Sequence, residues 1–152
     1  MSYQCQFINL PSRPVLSIRT VTSMPELPQV IGKAYAVISG YLVEFREEPA
    51  GPPFAAYFNM DMQNLDVEMG FPITKQLPGK GDIQPGEIPG GKVATCVHTG
   101  PYSEIAPAYE ALTQYVHDNG FETTGVAYEM YLNDPAVTPP PEVKTQIVFP
   151  LK

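Results

Sequence analysis

A single glutamate set among tyrosines, Tyr128-Glu129-Met130-Tyr131, is the strongest chemical signal in the chain. Side chains alternate along a strand, so Glu129 and Tyr131 share one face with Ala127 and Asn133. The other set, Val126, Tyr128, Met130 and Leu132, is more apolar and is expected to meet the helices. That leaves Glu129 and Tyr131 facing away from them. A carboxylate among aromatic rings suits a cation. At about 4 Å a partly buried ion pair attracts by roughly 4 kcal/mol before desolvation is subtracted. Each tyrosine face adds about 0.5–2 kcal/mol of cation–π attraction. Glu68 alternates with Val67 and Met69 and is expected on the same kind of face. Two carboxylates would then share the site, one holding a proton through repulsion and burial. Spacing alone leaves a second placement open, in which Glu129 simply points into water from an open sheet face.

The remaining reactive residue types carry less. Cys5 and Cys96 are far apart in sequence and read as buried, reduced thiols. His98 and His117 are the two histidines, and no Cys/His cluster supports zinc. His98 reads as a structural or surface residue, and a Cys96–His98 pair lacks a third orienting group. His117 falls near a helix C-terminus, where partial positive charge is favourable. Gly79-Lys80-Gly81 lacks the P-loop pattern. No metal and no cofactor is expected.

The elements that must position Glu129 occur nearly twice. Ile31-x-x-Ala34-Tyr35, with Tyr41 following, returns as Ile105-x-x-Ala108-Tyr109, with Tyr115 following. Phe54-Ala-Ala-Tyr57-Phe-Asn59 returns as Tyr128-Glu-Met-Tyr131-Leu-Asn133, again offset by 74 positions. Met69-Gly-Phe71-Pro72-Ile73 returns as Ile147-Val-Phe149-Pro150-Leu151, offset by 78. A fixed internal period means two copies of one unit. It also lets each residue be compared with its twin. Tyr57/Tyr131 and Asn59/Asn133 match, whereas Ala55 and Glu129 do not. The four tyrosines Tyr35, Tyr109, Tyr41 and Tyr115 read as helix-face packing.

Each copy reads as strand, helix, strand, strand, over about 14–74 and 91–151. The first strand spans 14–22 and is rich in β-branched types. Ser23 to Glu26 has the spacing of a capping box, with Pro25 in the first turn. Val30, Ile31, Ala34, Ile38, Tyr41, Leu42 and Phe45 then follow helical spacing. Strands are expected over 54–60 and 65–74. Residues 75–90, rich in Gly and Pro, read as a loop. The second copy has strands from Lys92 to His98, over 123–133 and over 143–151. Its helix runs from about Ser103 to Asn119 and stops at Gly120. The loop Pro135 to Glu142 separates the last two strands. The expected class is α+β: tandem βαββ modules in one domain, an antiparallel sheet with both helices on one face, and a ligand cleft between the modules.

Composition narrows the partners. A chain of 152 residues is long enough for a real core. Net charge is −7 with nine Lys and Arg, so a phosphate backbone is repelled on average and direct nucleic-acid binding is not expected. No run of 18 apolar residues suggests a membrane span. The start Met-Ser-Tyr-Gln-Cys has no signal-peptide pattern, so a cytoplasmic location is expected.

Four segments together resemble the GyrI-like family, also called the AraC-type effector-binding domain. They are Gly51-Pro-Pro-Phe54, Asp66-Val-Glu68-Met-Gly70-Phe-Pro72, His98-Thr-Gly100-Pro-Tyr102 and Tyr128-Glu129-Met-Tyr131-Leu-x-Asp134-Pro135. The resemblance runs from about Val15 to Leu151. It implies a pocket for a small molecule between paired modules. In multidrug-sensing members lipophilic cations lie against a glutamate at the Glu-x-Tyr position, here Glu129, with Tyr131 as a wall residue. The expected ligand-binding set is Glu129, Tyr131, Tyr57, Glu68, Asn59 and Tyr102. Some members are fused to a helix-turn-helix, but here the motifs start near the N-terminus, so a standalone binding protein is expected. Standalone members include hydrolases that open cyclopropane-bearing alkylating toxins, which would make Glu129 and Tyr131 catalytic, and gyrase inhibitors. Tyr128 stands where many relatives carry tryptophan. A lipophilic small molecule is the expected partner, with a protein partner or a second copy as the alternative.

Overall fold

The computed structural model describes residues 3–59, 61–134 and 137–152. Met1, Ser2, Met60 at the end of the strand expected over 54–60, and Pro135 and Ala136 in the expected loop lie outside the described residues. The chain divides into two compact units, Ser12–Pro89 and Met1–Pro11 with Gly90–Lys152.

In the first unit, β2 (Arg13–Thr22) leads through a 3-10 turn, Met24–Glu26, into α1 (Leu27–Glu44). The strands β3 (Phe54–Tyr57), β4 (Leu65–Pro72) and β5 (Gln84–Ile88) follow. Their order is β3-β4-β2-β5, antiparallel throughout. The expected capping box does not form. Ser23 makes no side-chain cap, and the Glu26 N–H instead donates to the Ser23 carbonyl at 3.1 Å. A tight 3-10 turn already satisfies that donor. The core packs Leu16 with Ile38, Tyr41 and Leu42 of α1, with Phe71 of β4 and with Ile73 just after it. Gly70 is required by close strand approach, because a Cβ there would lie 2.0 Å from the Leu16 carbonyl oxygen.

The second unit combines β1 (Gln6–Leu10), β6 (Gly91–Thr99), α2 (Ala106–Asp118), β7 (Ala127–Tyr131) and β8 (Lys144–Pro150). Its order is β1-β6-β8-β7, again antiparallel. Ala108, Leu112 and Val116 of α2 pack on Ala94, Cys96, Ile147 and Phe149. Burying a Leu, Val or Ile side chain such as Leu112, Val116 or Ile147 contributes about 1.5–3 kcal/mol. The helix stops at Gly120, which has φ of 78° and donates to the His117 carbonyl.

Two strands were not expected. β5 lies inside the segment read as a loop, and β1 precedes the first copy. In their own units they hold equivalent places, β5 beside β2 and β1 beside β6. Pro85 lowers the strand signal of β5, yet a terminal strand of the unit's order tolerates it because one row of its N–H groups has no ladder to join.

The face of β7 is the reverse of the sequence expectation, and its twin β3 is oriented in the same way. Directly opposed residues of an antiparallel pair project to one face. Glu129 opposes Ile147 and Tyr131 opposes Thr145. Ile147 packs against α2, so Glu129 and Tyr131 face that helix. Likewise Ala55 opposes Met69 and Tyr57 opposes Val67. Glu68 opposes Ala56, so Tyr57 and Glu68 lie on opposite faces of that strand pair. Strand pairing fixes these faces, and a near tie in hydrophobicity between the two rows could not.

Candidate functional site

Glu129 sits near the middle of β7 and is only 2% exposed. Three tyrosines from three elements donate to its carboxylate. Tyr131, two residues along the same strand, reaches Oε1 at 2.8 Å. Tyr102, in the 3-10 turn Tyr102–Glu104 before α2, reaches the same oxygen at 2.7 Å. Tyr109, one turn into α2, donates to Oε2. The Tyr102 and Tyr131 rings meet edge-on with centroids 6.3 Å apart, and Tyr109 tilts against Phe149 at 5.8 Å.

A carboxylate is an acceptor-only group, and three hydroxyl donors suit its ionised form. They are neutral, however. Among the described residues, no Lys, Arg or His comes within ion-pair distance of Glu129. Burial pushes its carboxyl above the ordinary value, and the three tyrosine hydrogen bonds only partly pull it back. The site therefore holds an acidic group whose charge is solvated by hydroxyls and, among the described residues, balanced by no local cation.

The structure brings Glu129, Tyr131 and Tyr102 together and adds Tyr109, which spacing had read as packing. Its twin Tyr35 shows why the signal was hidden. Position 55 is alanine, and the Tyr35 hydroxyl donates to the Phe54 carbonyl at 2.8 Å instead. The other three expected residues belong to the unit Ser12–Pro89. Tyr57 is buried there at 8% exposure. Asn59 is committed to backbone: its Nδ2 donates to the Asn64 carbonyl at 2.9 Å, and its Oδ1 accepts from the Asp66 N–H at 3.0 Å. Asn133 does the same with Glu142 and Lys144. Glu68 accepts from the buried Ser17 hydroxyl at 2.5 Å. Glu68 and Glu129 thus each have hydroxyl partners of their own.

The other candidates are structural. His98 is buried and bonds Tyr3 and the Pro101 carbonyl. Cys96 is buried and its thiol is pushed up to about 12 by burial, with the neighbouring Cys5 thiol adding to the effect. Among the described residues no cluster of His, Cys, Asp or Glu could hold a metal ion, and no helix is long and apolar enough to cross a membrane. A separate open groove of about 770 Å³ runs along α1 and includes none of the six expected site residues.

Solved structures that share this fold include the following three. The EcmrR chain in a cryo-EM EcmrR–DNA complex is 25% identical with a TM-score of 0.84, covering 99% of this chain, which spans 57% of that one. The crystal structure of the EcmrR C-terminal domain is also 25% identical, with a TM-score of 0.81, covering 100% of this chain and 99% of that one. A hydrolase from Listeria innocua is 15% identical with a TM-score of 0.74, covering 99% and 93%, a likeness of fold. No curated protein sequence matches the chain. A model of the GyrI-like small molecule binding domain matches residues 3–152, and the chain belongs to that family.

Proposed function

We propose that the chain binds a lipophilic cationic or strongly polarised small molecule, with Glu129 as its charge partner. The observation that carries this is a buried carboxylate held by three hydroxyl donors and matched by no local cation among the described residues. Desolvating such a charge is costly unless a partner arrives. A ligand cation supplies that partner, and the rings of Tyr102, Tyr109 and Tyr131 supply aromatic surface beside it. Tyr57, Asn59 and Glu68 have less support as contacts, since Asn59 and Glu68 already have internal partners. Calorimetry with a panel of lipophilic cations, tetraphenylphosphonium included, tests the reading against neutral molecules of similar size. Wild type should bind cations at least tenfold more tightly than Glu129→Gln. Equal affinities for the two proteins would sink it.

A hydrolase is the second reading, favoured by one observation. A carboxyl raised by burial moves toward the range in which general acid–base groups operate. Glu129 would then activate water or protonate a strained ring, and Tyr131 would orient the substrate. Incubation with a cyclopropane-bearing alkylator, followed by mass spectrometry, decides this. Turnover no higher than that of Glu129→Gln would exclude it.

A further inference from the structure

One arm of the Glu129 site hangs on a segment far from it in sequence. Tyr102 follows the turn Thr99-Gly100-Pro101 at the end of β6. Gly100 adopts φ of 132°, a region that favours glycine, and its N–H donates to the Val143 carbonyl at 2.7 Å. The Pro101 carbonyl is 3.0 Å from His98 Nε2. A carbonyl only accepts, so Nε2 carries the hydrogen and donates. In the neutral ring Nδ1 is then the acceptor, and the Tyr3 hydroxyl lies 3.1 Å from it. Register places His98 in the right row. His98 opposes Thr145, and Thr145 opposes Tyr131, so all three project to the face that carries Glu129.

We infer that Tyr3 and His98 form a positioning pair for the site. Tyr3 fixes the ring nitrogen that donates, His98 fixes the Pro101 carbonyl, and the turn so held aims the Tyr102 hydroxyl at Glu129 Oε1. Tyr102 needs such a brace. It is 37% exposed, and the short 3-10 turn that carries it contains no buried residue. Tyr109 and Tyr131 are fixed instead by α2 and β7. The N-terminal segment around β1 would thus act on the site without touching Glu129. The inference rests on Glu129 being the ligand's charge partner only for its functional consequence.

The test reads Glu129 directly, by NMR titration of its side-chain carboxyl carbon. Tyr3→Phe removes one hydroxyl, and His98→Leu removes both hydrogen bonds of the ring. His98→Gln keeps an N–H near the Nε2 position. A carboxylate that loses a donor titrates higher. Tyr3→Phe and His98→Leu should therefore raise the Glu129 titration, by up to about one pH unit for a full hydrogen bond lost. His98→Gln should restore much of the difference. In a Tyr102→Phe background the same changes should leave Glu129 unmoved, because the arm they position no longer has its hydroxyl. An unmoved Glu129 in the wild-type background would overturn the inference, and so would an equal movement in both backgrounds. If His98→Leu fails to fold, Tyr3→Phe alone carries the comparison. Affinity for tetraphenylphosphonium, measured on the same proteins, keeps the two ideas apart. Absence of binding by wild type counts against the cation reading, while the titrations still decide the positioning.

Discussion

Replacing Glu129 with glutamine separates the charge of the site from its shape. Burial raises the Glu129 carboxyl, and hydrogen bonds from Tyr109, Tyr102 and Tyr131 offset this only in part. The unfolded chain has no such burial, so the folded state holds the proton more tightly. The resulting stabilisation is fully present below the unfolded carboxyl value. It is lost as pH rises through the folded value. Every pH unit separating the two values corresponds to about 1.4 kcal/mol. In a chain of this length about 1 kcal/mol moves Tm by roughly 2–4 °C. Glutamine has the same length and no charge. Its Oε1 can accept from Tyr102 and Tyr131, and its Nε2 can donate to the Tyr109 oxygen, since a phenol both donates and accepts. Glu129→Gln should therefore match wild type in acid and exceed it at neutral pH. Glu129→Ala should behave differently. It removes buried contacts and the shared acceptor of three hydroxyls, costing about 2–4 kcal/mol relative to the glutamine variant at every pH.

Urea denaturation of the three proteins from pH 4 to 9 measures this. Subtracting the glutamine curve from the wild-type curve cancels the other titrating groups. The difference should fall with rising pH and then level off. A flat difference, or a glutamine variant weaker than wild type at neutral pH, would refute the view that Glu129 carries an uncompensated buried charge.

Three further outcomes follow from the same geometry. A bound cation favours ionised Glu129, so tetraphenylphosphonium binding at a pH below the folded carboxyl value should release protons. Calorimetry in buffers of different ionisation heat reads this directly, and a buffer-independent heat there opposes it. Gly70→Ala should cost about 3 kcal/mol or more, because its Cβ would meet the backbone of Leu16 and Ser17 at 2.0 and 2.8 Å. A urea midpoint equal to wild type would contradict that contact. With its thiol pushed up to about 12, Cys96 should resist iodoacetamide at pH 8 until the protein unfolds, whereas the half-buried Cys5 should label first. Peptide mass spectrometry distinguishes the two, and equal labelling would count against the buried setting of Cys96.

Comparing twin positions singled out Glu129, and the structure shows why identity and difference between twins mean different things. Asn59 and Asn133 match because each clamps the chain beside its strand with one donated and one accepted backbone bond. That pattern serves the architecture of either unit, so this matching pair marks structure. Tyr35 and Tyr109 match in type yet differ in use, because the residue across from them differs. Where position 55 offers a methyl group, the hydroxyl takes a backbone carbonyl. Where position 129 offers a carboxylate, the hydroxyl takes that. The helices and six of the eight strands among the described residues are legible because their apolar periods are strong. The face of β7 was not. Ala127, Glu129 and Tyr131 differ too little from Tyr128 and Met130 for a short strand to declare its buried row, and only the opposition of Glu129 to Ile147 settles it. Once that face is known, the meaning of the break changes. A glutamate turned to water would need no partners. A glutamate turned toward α2 must find three donors, and it finds them in Tyr102, Tyr109 and Tyr131, none of which repairs its missing positive charge.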